Sequence, residues 1–326
     1  MLYVGKEAPR LWAAGVVFGL LALCACSVNG GSLSAFVTRH QPGRLTISGA
    51  GSVKLFVTNL PNAITEYDQN GNQITQSGTF PNLNQPLGIT FDSSNGDLYV
   101  IDHGFNTSGN NTITEYDQNG NLLNTFSAPF PTLFDPTGIA FDSSNNNLYV
   151  VNGSSTITEY DQNLNPITTF GSFPTPLNGP AGIAFDSLNG HLYVVNNGNN
   201  TIVEFDQNGN LITTSGTFPK LDLPVGIAFD VANGHLYVTN LGCPSPHTPP
   251  RITEYDQNGN LIVIPSGTFP NLNGPTGISF DSANDHLYVT NSSNNTITEY
   301  DQDGNRISTS GTFVGLHFPS SLTVAP

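Results

Sequence analysis

The sequence predicts an all-β fold built from repeated four-stranded units. Two observations support this prediction: one hexapeptide occurs six times, and each unit divides into short apolar runs bounded by turn residues. The hexapeptide reads Ile-Thr-Glu-Tyr-Asp-Gln in five copies and Ile-Val-Glu-Phe-Asp-Gln in the fourth, and the copies begin at Ile64, Ile113, Ile157, Ile202, Ile252 and Ile297. A nearly constant spacing of about 45 residues is typical of repeat architectures.

Residues 180–215 show how one unit is built. The runs 180–186, 191–196, 201–206 and 210–215 are rich in Ile, Val, Tyr, Phe and Thr, and Asn, Gly or Asp separate them. The pair Asn208-Gly209 is typical of a tight hairpin, because both residues tolerate positive φ. We therefore expect four antiparallel strands in an up-and-down meander, the blade of a β-propeller.

The number of copies predicts how the ring closes. The first-strand segment occurs five times in full, whereas the third-strand segment occurs six times. The chain enters the repeat at residues 55–59, which match a second strand, and leaves at residues 319–324, which match a first strand. We expect these ends to complete one blade of a closed six-bladed ring with no open sheet edge. Arg44–Ser48 is an alternative first strand or an extra outer strand.

The repeated motifs carry a family resemblance. Pro-x-Gly-Ile-x-Phe-Asp, Leu-Tyr-Val-x-Asn and Asn-x-x-Ile-x-Glu-Tyr-Asp-x-x-Gly resemble the NHL repeat, over the region from Lys54 to Pro326. This resemblance implies a six-bladed propeller. It does not imply one activity, because similar folds serve as protein-binding platforms, lactonases and lyases.

The N-terminal region predicts export. Residues 1–25 have a basic start and a short apolar stretch, as in a secretory signal peptide. Residues 23–26 resemble a bacterial lipobox, which implies lipidation of Cys26, and residues 26–52 then form a Gly/Ser-rich tether before the propeller at 53–326. Ser27 favours the outer membrane, so we expect a lipid-anchored protein of the bacterial cell envelope. The alternative is ordinary cleavage after Ala25 or Ser27, without a lipid.

The charge of the chain argues against a nucleic-acid partner, and its cysteines argue against an internal disulfide. The full chain has a net charge of −16, and removal of residues 1–25 leaves six Lys and Arg against 23 acidic residues, a net charge of −17. Such a surface repels phosphate backbones, so nucleic acid is not an expected partner. The mature chain keeps Cys26 and Cys243, and Cys26 is the candidate for lipidation, so no disulfide is available within a mature monomer. We predict a monomer that touches the membrane only through its lipid.

Two sets of residues are candidate binding groups. One is a ring of polar residues that end the second strands and are expected at one channel mouth: Asn59, Asp102, Asn152, Asn196, Asn240 and Asn291. The other lies in two enlarged loops, 103–111 and 241–250, on opposite blades: Asp102, His103, Phe105, Cys243, His247 and Arg251. Loops on rigid scaffolds often carry function. The alternatives are amides that cap their own turns and tolerated insertions in surface turns.

The functional prediction is a non-enzymatic binding or scaffold module that presents one face to a protein, peptide or glycan, with no cofactor and no catalytic residue assigned. The alternative is a propeller enzyme of lactonase or lyase type with a divalent cation such as Ca²⁺ at the mouth. A hard cation prefers more carboxylate than the mostly amide ring supplies. The Asp-Gln-Asn-Gly-Asn segments have their Gly at position 4 instead of position 6, so we predict hairpin turns there, without calcium.

Overall fold

The computed structural model describes residues 53–75, 78–104, 111–127, 133–171, 177–213, 216–243, 248–262, 268–307 and 312–325. Within these residues, 23 strands form six antiparallel sheets, which confirms the predicted six-bladed β-propeller. The predicted signal peptide, Cys26, the tether and Arg44–Ser48 lie outside the described residues.

The first three blades follow the meander that the repeats predict. Blade 1 contains β1 (Lys54–Asn59), β2 (Ala63–Asp68), β3 (Gln73–Ile74) and the last strand of the chain, β23 (Pro319–Ala325). Blade 2 contains β4 (Pro86–Phe91), β5 (Leu98–Asp102), β6 (Thr112–Tyr116) and β7 (Leu122–Ser127). Blade 3 contains β8 (Pro136–Asp142), β9 (Asn147–Asn152), β10 (Thr156–Tyr160) and β11 (Pro166–Phe170).

The other three blades repeat this order. Blade 4 contains β12 (Pro180–Asp186), β13 (His191–Asn196), β14 (Thr201–Asp206) and β15 (Leu211–Ile212). Blade 5 contains β16 (Pro224–Asp230), β17 (His235–Asn240) and β18 (Arg251–Tyr255), with a single bridge from Tyr255 to Leu261 in place of a fourth strand. Blade 6 contains β19 (Pro275–Asp281), β20 (His286–Asn291), β21 (Thr296–Tyr300) and β22 (Arg306–Ile307).

The ring closes through the two ends of the propeller, as predicted. Strand β23 pairs antiparallel with β1, so that Leu55 lies opposite Val324 and Thr58 lies opposite Ser321. The innermost strand β23 also contacts β19 of blade 6 and β4 of blade 2. A buried contact of 2.8 Å between the hydroxyls of Thr58 and Ser320 adds a polar link at this joint. The sheet edges of the inner ring are therefore all covered by neighbours.

Phenylalanine side chains fill the space between adjacent blades in two different ways. In one arrangement, a Phe that follows a short fourth strand packs on tyrosines of both blades: Phe218 lies 6.2 Å from Tyr193 and 5.3 Å from Tyr255. In the other, the Phe comes from a long fourth strand, as with Phe126 of β7, whose ring centroid is 5.3 Å from that of Tyr160. The source of the interface Phe thus differs between blades with a long and a short fourth strand.

The centre of the propeller is tightly packed. The residues that follow the first proline of each inner strand are all buried: Leu87, Thr137, Ala181, Val225, Thr276 and Ser320. Leu87 and Val225 come from opposite blades but belong to one apolar cluster, so hydrocarbon fills the axis at this level. A Cβ on Gly182 would lie 2.5 Å from the carbonyl oxygen of Val225 in the next blade, which explains a glycine at this close approach.

Candidate functional site

One face of the propeller, which we call the mouth-side face, carries the candidate residues. It contains the turns that join second to third strands and the loops that enter each inner strand. The register shows this directly, because Asn196 at the end of β13 pairs with Pro180 at the start of β12. The opposite face carries the other two turns of each blade. The members of the two candidate sets that lie in the described residues therefore share this face.

The polar ring is buried and holds the loops of this face. Each ring oxygen accepts a backbone N–H from the loop that enters the same blade's inner strand, at 2.9–3.0 Å; the donors are His317 to Asn59, Asn84 to Asp102, Phe134 to Asn152, Asn178 to Asn196, Asp222 to Asn240 and Asn273 to Asn291. The five amide nitrogens donate to threonine hydroxyls of the third strand, for example from Asn240 to Thr253 at 3.0 Å. These contacts give the amides a structural role. Whether the ring also binds a ligand stays a prediction.

Asp102 is the carboxylate of this ring. Its side chain is fully buried and accepts hydrogen bonds from the backbone N–H of Asn84 at 3.0 Å and the hydroxyl of Thr112 at 3.2 Å. Burial raises the pKa of Asp102 to about 6, although these donors act to lower it. The carboxylate thus supports the loop in the same way as the amides do.

His103 follows Asp102 and links blade 2 to the loop of blade 3. Its Nε2 lies 3.6 Å from Oδ1 of Asp135, and its side chain is buried. Burial lowers the pKa of His103, and the Asp135 carboxylate partly opposes this effect. Phe105, predicted in the same loop, lies outside the described residues.

The second enlarged loop packs around Asp222, a residue of the loop that enters β16, which sequence reasoning did not single out. Oδ2 of Asp222 accepts a hydrogen bond from the Thr248 hydroxyl and lies 3.6 Å from Nη1 of Arg251. Arg251 also donates from Nη2 to the carbonyl of Lys220 at 2.6 Å. The backbone carbonyl oxygen of the half-buried Cys243 accepts the backbone N–H of Thr248 at 3.0 Å. His247 is not among the described residues, so this candidate set is only partly placed.

The described part of the mouth offers no group of three or more His, Cys, Asp or Glu side chains that could hold a metal ion. Its floor is apolar, since Leu60 and Leu241 pack against the cluster that contains Leu87 and Val225. The two candidate groups, around His103 and Arg251, lie on opposite blades of this rim. Of these groups, the half-buried guanidinium of Arg251 can supply hydrogen bonds to a ligand at the surface.

The opposite face is repetitive and its polar groups bind one another. In the turn at Asp206, the carboxylate accepts the backbone N–H groups of Asn208 and Asn210 and the side-chain amide of Asn210. Slight burial acts to raise the pKa of Asp206, but these donors outweigh it and lower the pKa. His191 approaches Glu204 at 2.6 Å, and blades 5 and 6 repeat this pair. Hairpin formation and local pairing account for these residues.

A third set of positions on the mouth-side face was missed by sequence reasoning. The two residues before the first proline of each inner strand differ in nearly every blade: Asn84-Gln85, Phe134-Asp135, Asn178-Gly179, Asp222-Leu223, Asn273-Gly274 and His317-Phe318. Phe134 and Phe318 are 38% and 42% exposed. The sequence shows these dipeptides as variable positions before a constant proline. Only the structure shows that they lie on the mouth-side face.

Comparison with known families agrees with the geometry. The NHL repeat family model matches residues 177–205 and 272–300, which lie in blades 4 and 6. The chain carries NHL repeats. A comparison with curated proteins finds no match. No helix in the described part of this NHL-repeat propeller has the length and apolar character that a membrane span needs.

Solved structures show the same architecture. The NHL-repeat propeller is similar to a chain of a nidogen/laminin complex (TM-score 0.64, 19% identity, 85% of this chain and 99% of that chain). It is also similar to a putative 6-phosphogluconolactonase from Bacteroides uniformis (0.59, 13%, 84% and 99%). A third is virginiamycin B lyase from Staphylococcus aureus (0.54, 19%, 80% and 81%). At these identities the likeness concerns the fold alone.

Proposed function

We propose that this NHL-repeat propeller is a binding module of the bacterial cell envelope that presents its mouth-side face to a protein, peptide or glycan. The observation that supports this proposal is the contrast between the two faces. The opposite face repeats the same hairpins and His–Glu pairs, whereas the mouth-side face has the two enlarged loops and the variable dipeptides. A rigid scaffold with variation confined to one face is well suited to recognition.

The face assignment can be tested with two matched double variants. Phe134→Ala with Phe318→Ala removes exposed rings from the mouth-side face, and Leu188→Ala with Leu211→Ala removes comparably exposed side chains from the turns and outer edge of blade 4. Immobilised protein starting at residue 27 would be incubated with envelope extract. We expect one captured component to be lost with the first variant and retained with the second. The reverse pattern would contradict the proposal.

The anchor at Cys26 is a separate part of the proposal. We expect Cys26→Ala to move the protein from the membrane fraction to the soluble fraction, because the residue that would carry the lipid is then absent. A variant that stays membrane-bound would show that the anchor is not at Cys26. Elemental analysis of the purified mature protein addresses the enzyme alternative, since a stoichiometric divalent ion would favour a lactonase- or lyase-like site.

A further inference from the structure

One corner of the mouth-side face differs from the rest of the rim. Phe318 is 42% exposed, and the ring of the exposed His317 packs against it edge-on with centroids 4.9 Å apart. The equivalent dipeptides of the other blades contain one aromatic ring at Phe134 and none elsewhere. The turn of blade 1 at residues 60–62 and the turn of blade 6 at residues 292–295 flank this pair. We call these two turns together with residues 317–318 the aromatic corner.

Hydrogen bonds fix the aromatic pair in place. The backbone N–H of His317 donates to Oδ1 of Asn59 at 3.0 Å, and that of Phe318 donates to Oδ1 of Asn295 at 2.7 Å. The His317 ring donates from Nδ1 to the carbonyl of Leu60 at 2.8 Å, which leaves Nε2 as an acceptor in the neutral ring. Phe318 has a φ of 44°, a backbone conformation that these contacts stabilise. The rings are therefore positioned before any ligand arrives.

The chemistry around the pair is polar but uncharged. The segments of the aromatic corner contain no Asp, Glu, Lys or Arg, and instead supply Ser292, Ser293, Asn62, Asn294 and Asn295. Most of these side chains are exposed. Oδ1 of Asn62 accepts the backbone N–H of Gln85 at 3.3 Å, which orients the amide and makes its NH₂ group the available donor. The corner thus combines an exposed aromatic surface with amide and hydroxyl groups of fixed direction.

Building on the proposed binding function, we propose that the aromatic corner binds a neutral saccharide. The apolar face of a sugar ring can pack on Phe318, while amides and Nε2 of His317 pair with its hydroxyl groups. Phosphate-rich ligands and acidic peptides would need cations, and basic peptides would need carboxylates, which the corner lacks. A protein hot spot requires a larger buried apolar area than one phenylalanine and Leu60 provide.

The test uses defined sugars and protein starting at residue 27. Maltohexaose, cellohexaose and chitohexaose serve as neutral probes, with hexagalacturonate as the anionic control, and saturation-transfer NMR and calorimetry measure contact and affinity. We expect at least one neutral hexasaccharide to bind, and Phe318→Ala to weaken it about tenfold. Phe318→Tyr should retain binding because it keeps the aromatic face. Leu188→Ala, on the opposite face, should have no effect.

Three results would overturn the inference. These are the absence of binding to every neutral hexasaccharide, equal binding by the Phe318→Ala protein, or stronger binding of hexagalacturonate. Thermal unfolding of each variant, followed by circular dichroism, separates loss of contact from loss of fold. If the envelope component still depends on the mouth-side variants when no hexasaccharide binds, the saccharide inference fails and the binding face stands. If both assays lose their dependence on this face, the proposed function fails as well.

Discussion

Replacing Asp281 with Asn should stabilise the propeller at neutral pH. The carboxylates that end the inner strands are buried, and those of blades 2–5 accept an amide hydrogen bond from a glutamine of the next blade; Gln302 donates to Oδ2 of Asp230 at 2.8 Å. Asp281 of blade 6 is 2% exposed and accepts the N–H of Ala283, but its Oδ2 has no partner among the described residues. Gln69, at the corresponding position of blade 1, is exposed.

The size of the effect follows from the pKa. Burial raises the pKa of Asp281 from 3.8 to about 6, with nearby acidic groups adding to the rise and His286 opposing it. This difference corresponds to about 3 kcal/mol between the folded and unfolded states. Because the folded pKa is the higher one, this stability is fully present below pH 3.8 and is lost as pH rises through about 6. Asn cannot ionise, so the Asp281→Asn protein should be more stable by about 1–3 kcal/mol at pH 7.5, with the gain vanishing near pH 4.

Urea unfolding followed by circular dichroism measures this difference. Tryptophan fluorescence is not suitable, because the only tryptophan, Trp12, lies in the predicted signal peptide. Asp230→Asn is the matched control. The pKa of Asp230 is also raised to about 6, mainly by burial, but the new amide would face the donor NH₂ of Gln302, so we expect no gain or a loss of stability. An Asp281→Asn protein no more stable than the wild type at pH 7.5, or a gain that does not depend on pH, would refute the reasoning.

Three further changes test the packing and closure of the ring. Phe269→Ala should lower the free energy of unfolding by about 3–5 kcal/mol, because this side chain is 5% exposed and packs on tyrosines of two blades; a loss below about 1 kcal/mol would contradict the interface. Leu164→Gly should destabilise by about 1–2 kcal/mol in urea unfolding despite relieving a φ of 62°, because Leu164 is 1% exposed; a stabilised protein would show that strain outweighs burial there. Deletion of residues 319–326 should abolish cooperative thermal unfolding, since it leaves β1 without its inner partner; a sharp transition in the truncated chain would contradict closure through β23.

The sequence allowed the fold to be predicted because local and global signals agree. Asn-Gly turns, β-branched runs and a constant spacing identify the blade, and the unequal number of strand copies identifies the closing joint. The two ways of filling the blade interface were not predicted. Phe126 and Phe218 occur in similar Thr-Phe segments, but Phe126 lies within a long fourth strand whereas Phe218 follows a short one.

The candidate site was harder to predict than the fold. The sequence placed Asn152 and Asn240 on one rim, but their oxygens accept N–H groups from loops 18 residues earlier, a contact that depends on the path of the folded loop. The importance of Asp222 was hidden for the same reason, since Arg251 and Thr248 approach it only in the folded blade. Phe105 and His247 remain predictions, because no described contact involves them.

The register of the closing blade determines the face on which the chain enters the propeller. Lys54 pairs with Ala325 at one end of β1, and Asn59 pairs with Pro319 at the other end, so the chain enters the propeller from the side away from the mouth. Residues 26–52 could extend to about 90 Å. If Cys26 carries the lipid that we propose, the tether would thus join the propeller on the face away from the mouth and leave the variable loops uncovered.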